Sequence, residues 1–143
     1  MTYAVVSDIH AHGWSAFTKP QPDGVNGRLR IILNELERAA TTLTNLGGKT
    51  LVIAGDIFHV RGAIDPEVLN PTQQTILKIL DMGLNIEAIP GNHDLKGNET
   101  TELGSAIQTL GQTFSMNGQF RIFNKPELVF GDEPRAYVPW RSN

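Results

Sequence analysis

Three short apolar runs, each ending in a polar cluster, constrain this chain more than any other feature. They are "YAVVSD" at residues 3–8, "TLVIAGD" at 50–56 and "NIEAIPGNHD" at 85–94. Apolar and β-branched runs of this kind read as strands buried on both faces. Between the first two, Leu29, Ile32, Leu33, Leu36, Ala39, Ala40, Leu43 and Leu46 recur at helical spacing, and Gly47-Gly48 ends the pattern. Between the second and third, Asn70-Pro71 gives the cap and first-turn signal of a helix carrying Ile76, Leu77, Ile79 and Leu80, closed by Gly83. "TTELGSAIQTLG" predicts a further short helix, and "FRIF", "ELVF" and "AYVPW" predict short strands joined by turns. Strands alternating with helices build βαβ units, so the expected class is α/β with a parallel core.

Composition sets the outer bounds. With 143 residues, 40% of them hydrophobic, the chain is the size of a single domain, here 1–143, with a real core. A net charge of −3 argues against a strongly basic surface that grips nucleic acid nonspecifically. It leaves a nucleic-acid substrate open, because bound cations would offset local carboxylates. No cysteine is present, which removes disulfides, zinc thiolates and a thiol nucleophile. The first residues lack a signal-peptide pattern, and no apolar run approaches the ~20 residues of a membrane helix. A cytoplasmic protein without a membrane partner is the expectation.

In parallel α/β sheets, ligand sites form beyond the carboxyl ends of the strands. If the three strands are neighbours, "SDIHAH", "GDIFH" and "GNHD" converge on one edge and bring histidines, carboxylates and an asparagine together. Such a set suits a divalent cation. Asp8 and His10 are two positions apart; on an extended backbone both face one side, separated by roughly 6–7 Å. Asp56, after Gly55, could bridge two ions, and Asn92, after Gly91, could offer a neutral oxygen to the second. His93 could remain free to donate a proton or steady negative charge. Each residue also has a plainer reading. Asp-x-His and Gly-Asp are common in caps and turns, and "GNHD" suits an Asx turn. His59 reads equally as a structural histidine and His12 as a solvated one. Lys19, Arg28, Arg61 and Lys96 read as surface charges whose loop positions leave unspecific phosphate contacts open, with Arg61 and Lys96 the substrate-binding candidates.

Taken in order, Asp8-Ile9-His10, Gly55-Asp56 and Gly91-Asn92-His93-Asp94 resemble the signature of the calcineurin-like metallophosphoesterase superfamily. The match covers about the first two thirds of the chain. "GDIFH" followed by a loop and helix, then "AIPGNHD", together with the long "HAHGWSAFTKPQ" loop, is most similar to the SbcD-like DNA-repair nuclease branch. The resemblance implies a β-sandwich with flanking helices and a centre of two divalent cations, commonly Mn2+, with Mg2+, Fe2+ or Zn2+ as alternatives. Asp8 and His10 would hold the first ion, Asp56 both, and Asn92 the second. His93 would act on the scissile phosphate and His59 would position it. The ions would activate water for in-line attack on phosphorus.

That family completes its site with a further histidine and a G-H-x-H downstream. Here the last histidine is His93. The sequence therefore reads as the N-terminal portion of the phosphoesterase domain, with an incomplete sandwich, one ion held more readily than two, and little nuclease activity alone. The leading function is a metal-dependent DNA exo- or endonuclease, with DNA as substrate and an SMC-type ATPase as the partner the resemblance implies. A nucleotide or phosphoprotein phosphatase is the first alternative. The second is a non-catalytic assembly module, a homodimer or a domain completed by a second chain, in which apolar residues of the C-terminal third stay exposed.

Overall fold

The computed structural model describes residues 2–96, 103–114, 118–131 and 133–139. Strands β1 (Tyr3–Val6), β2 (Thr50–Ala54), β3 (Asn85–Ile89) and β4 (Phe120–Ile122) form one parallel sheet in that spatial order. The connections carry helices α1 (Gly27–Asn45), α2 (Pro66–Asp81) and α3 (Ser105–Phe114). A hairpin, β5 (Glu127–Val129) with β6 (Arg135–Tyr137), follows. The mixed α/β architecture with a parallel core is the expected one. The first residues of the predicted third helix and Trp140 of the predicted last strand lie outside the described residues.

Side-chain alternation divides the sheet into two faces. Leu51, Ile53, Ile86, Ala88 and Phe120 meet Leu29, Leu33, Leu36, Ile76, Ile79 and Leu110 in the main core. All three helices therefore cover one face. Each such side chain, fully buried, adds about 1.5–3 kcal/mol of transfer free energy. On the other face Val52, Phe123 and Tyr137 form a smaller cluster. Glu87 of β3 also points there, nearly buried, and is satisfied by the hairpin. Arg135 reaches it through Nε at 3.1 Å and Nη2 at 2.8 Å, and the Tyr137 hydroxyl donates to it. Burial, followed by the hydrogen bond to Glu87, pushes the Tyr137 phenol up to about 12. Leu128, Phe130 and Val138 in the C-terminal third are exposed, and so are Tyr3 and Val5 on β1.

The start of the second helix differs from expectation. α2 begins at Pro66 behind Asp65, and Asn70-Pro71 lies inside it. Both dipeptides carry the same signal; the earlier one starts the helix, and Val68 and Pro71 of its first turns are buried. Pro71 forfeits one bond, to the carbonyl of exposed Glu67, which water can satisfy. Among the described residues, no helix is long and apolar enough to cross a membrane.

Candidate metal centre

Past the strand ends the sheet continues as irregular backbone. The N–H groups of His10 and Ala11 donate to the carbonyls of Asp56 and Ile57 at 2.9 and 2.8 Å, and the His59 N–H donates to Ala11 at 3.1 Å. These bonds hold the β1 tail beside the β2 tail. Asp8, His10 and Asp56 all adopt positive φ, at 53°, 48° and 46°. That conformation is disfavoured for residues with a Cβ and clusters at functional sites. The extended path expected between Asp8 and His10 is therefore not the one taken. Left-handed backbone at both residues folds their side chains toward a common point, with His10 Nε2 3.8 Å from Asp8 Oδ1 and 3.6 Å from Asp56 Oδ2.

The β2 and β3 tails are tied by a residue with no assigned role at the sequence level. Asp94 is buried, and its carboxylate accepts the backbone N–H groups of Ile57, Phe58 and Gly91 at 3.1, 3.2 and 3.0 Å. Burial raises its pKa, against the pull of those three donors. Asp56 Oδ1 accepts the His93 N–H at 2.8 Å, and Arg61 Nη1 donates to the Asn92 carbonyl at 2.6 Å. The approach is so close that a Cβ on Gly91 would stand 2.2 Å from Asp56 Oδ1 and 2.4 Å from its backbone nitrogen. Only glycine fits there.

The histidines gather on the other side of Asp56. His10 Nδ1 faces His59 Nδ1 at 3.4 Å, and His93 Nδ1 is bonded to the His59 carbonyl. Burial, then the proximity of His12, His10 and His93, holds the His59 pKa below its usual range, with Asp56 opposing. His12 belongs to neither group of potential ligands; its ring meets Trp14 edge-on at 5.0 Å and tilts against His59 at 4.9 Å. Trp14 packs on His59 at 4.7 Å and carries the Arg28 guanidinium on its ring at 4.5 Å. Trp14 had no site role at the sequence level, and Arg28 only that of a surface charge with an unspecific phosphate contact open to it. The signal that could have found them is a Trp four residues beyond His10 and a cation at the start of the first helix. Asn26 binds that loop to α1, accepting from Arg28 and Leu29 and donating to the Trp14 carbonyl at 2.7 Å. Lys96 is exposed, just past Asp94.

Asp8, Asp56 and Asn92 line a cavity of about 430 Å³ with Gly91, Pro90 and Val138. Among the described residues, Asn92 Oδ1 is buried without a hydrogen-bond partner. An unpaired buried acceptor is costly unless a donor or cation meets it. Two carboxylates, an imidazole and this amide oxygen form a donor set that fits divalent cations.

Residues 1–139 match the family model of the calcineurin-like phosphoesterases. The chain belongs to that family. This calcineurin-like phosphoesterase is also 23% identical over 128 residues to exonuclease subunit 1 of enterobacteria phage T4. The match covers 89% of this chain and 36% of that protein, so the chain spans about a third of its relative's length. The family implies divalent cations, and the group Asp8, His10 and Asp56, with ligand atoms within 4.8 Å of one another, is suited to receive one.

Proposed function

We propose that this chain carries the cation-binding part of a phosphodiester-hydrolysing centre of the SbcD-like DNA nuclease type. The observation that carries the reading is the convergence of Asp8, His10, Asp56 and the unpartnered Asn92 Oδ1 at one sheet edge. Its likeness to an exonuclease subunit supports DNA as the substrate and a multi-subunit assembly; the resemblance to the SbcD-like branch adds an SMC-type ATPase as the partner class. Asp8, His10 and Asp56 would hold one ion, and Asp56 with Asn92 a second. When bound, such ions supply Lewis acidity toward phosphoryl oxygens and lower the pKa of water; Mn2+ suits the oxygen-rich set.

The chain's own residues do the rest. The Asp56 carboxylate is fixed by the His93 N–H, so it does not have to be ordered when charge arrives. His93 commits Nδ1 to the His59 carbonyl, which leaves Nε2 to carry a proton to a leaving oxygen or to stabilise phosphoryl charge. His59, whose pKa is lowered by burial and the neighbouring histidines, would offer a ring nitrogen to position the phosphate. Arg61 orients Asn92 through its backbone carbonyl.

A substrate panel in Mn2+ tests the reading. Turnover by this chain alone should be low; what remains should be faster on single- and double-stranded DNA and bis-p-nitrophenyl phosphate than on p-nitrophenyl phosphate, and His93→Gln should abolish it. Faster hydrolysis of the monoester would overturn the nuclease in favour of a phosphatase. The exposed Leu128, Phe130 and Val138 favour one further reading, a non-catalytic assembly module. A stable dimer that takes up no Mn2+ at millimolar concentration would establish it.

A further inference from the structure

His10 turns its two ring nitrogens to two different sets of partners. Nε2 faces the carboxylates of Asp8 and Asp56 at 3.8 and 3.6 Å, whereas Nδ1 faces Nδ1 of His59 at 3.4 Å. A ligand nitrogen from each of His10, His59 and His93 lies within 4.8 Å of the other two. We propose that these three imidazoles form a second cation site, exclusive with the carboxylate-rich one, that selects Zn2+, Ni2+ or Cu2+ over Mn2+.

The 3.4 Å between His10 Nδ1 and His59 Nδ1 suits it. Two nitrogens bound to one tetrahedral zinc at about 2.1 Å stand about 3.4 Å apart. The supporting groups are also in place. Histidine ligands characteristically give their other nitrogen to a carbonyl or carboxylate. His93 Nδ1 already rests on the His59 carbonyl, leaving Nε2 for a cation. His10 Nε2 already faces two carboxylates, leaving Nδ1. An all-nitrogen set favours borderline cations, and a carboxylate-rich set favours Mn2+ and Mg2+.

Exclusivity follows from the imidazole itself. A neutral ring has one bare nitrogen at a time. A cation between Asp8 and Asp56 needs Nε2 bare; a cation among the histidines needs Nδ1 bare. Occupation of the imidazole site would thus withdraw His10 from the carboxylate-rich site and His93 from a substrate phosphate. That inhibitory consequence rests on the proposed hydrolytic centre. The imidazole site itself stands whether or not the chain cleaves a phosphoester.

Calorimetric titration of the whole chain with MnCl2 and with ZnCl2 tests the site, using wild type, His59→Ala and Asp8→Asn. His59→Ala should weaken Zn2+ by roughly tenfold or more and leave Mn2+ within about twofold; Asp8→Asn should do the reverse. Electron paramagnetic resonance of the Cu2+-loaded chain should show three coupled nitrogens, falling to two in His59→Ala. Circular dichroism checks the fold, and His59→Gln serves if His59→Ala unfolds. Unchanged Zn2+ affinity in the folded His59 variant, a single coupled nitrogen, or equal loss of both cations in Asp8→Asn would overturn the site. Zn2+ binding that falls in His59→Ala and survives Asp8→Asn, without any Mn2+ binding, would sink the Mn2+-dependent hydrolytic reading and leave this one standing.

Discussion

The tails of β2 and β3 and the tail of β1 reach the same cavity by different means. The first two are cross-linked before any cation arrives: Asp94 gathers three backbone donors, Asp56 takes the His93 N–H, and Arg61 holds the Asn92 carbonyl. The β1 tail is pinned by backbone bonds from His10 and Ala11, but the Asp8 side chain is 69% exposed, against 16% for Asp56. Asp56 and Asn92 are thus set by protein, and Asp8 must be ordered by the ion it meets. Preorganised ligands contribute more affinity because less ordering is required on binding.

The largest effect should come from breaking the cross-link. Asp94→Ala strips the acceptor from three buried N–H groups. A loss of about 3 kcal/mol or more in a urea melt is expected. Mn2+ affinity should fall with it, since Asp56 and Asn92 lose their common frame. A variant that melts like wild type would show that the tails are held by something else. Gly91→Ala comes next, at about 1–3 kcal/mol, because its Cβ must push Asp56 away. It should loosen the second cation more than the first.

The sequence made the β-tail convergence legible and left the locking invisible. Strand ends in a parallel sheet meet by topology, so Asp8, His10, Asp56, Asn92 and His93 were recognisable from position alone. The Asp94 tether was not, because a carboxylate that accepts N–H groups from 37 and 36 residues upstream has no local pattern. Left-handed backbone at Asp8, His10 and Asp56 is likewise imposed by tertiary bonds. Asp65-Pro66 and Asn70-Pro71 carry the same local signal, so the local pattern alone does not say which one starts the helix.

Single-ligand variants sharpen the contrast. Asp56→Ala should weaken Mn2+ by roughly 100-fold, and Asp8→Ala by roughly tenfold, measured by calorimetry under one buffer condition. The difference arises because Asp56 is already in place and Asp8 has to be ordered. Equal losses would mean that exposure of Asp8 carries no ordering cost. Wild type should bind one ion well before a second, since Asp56 and Asn92 alone offer the second fewer donors among the described residues.

The smallest effect separates two histidines two residues apart. His10 places Nε2 between Asp8 and Asp56, while His12 packs against Trp14 and lines a separate cavity of about 230 Å³ with Val60 and Asp65. His10→Ala should lower Mn2+ affinity by roughly tenfold or more, and His12→Ala should leave it within about twofold. His12 still touches the ring of His59, so its removal should relieve part of what holds the His59 pKa down. The His59 proton resonance followed against pH should then titrate at a higher value in His12→Ala than in wild type. An unmoved titration with lost Mn2+ affinity would place His12 among the ligands and erase the distinction between the two.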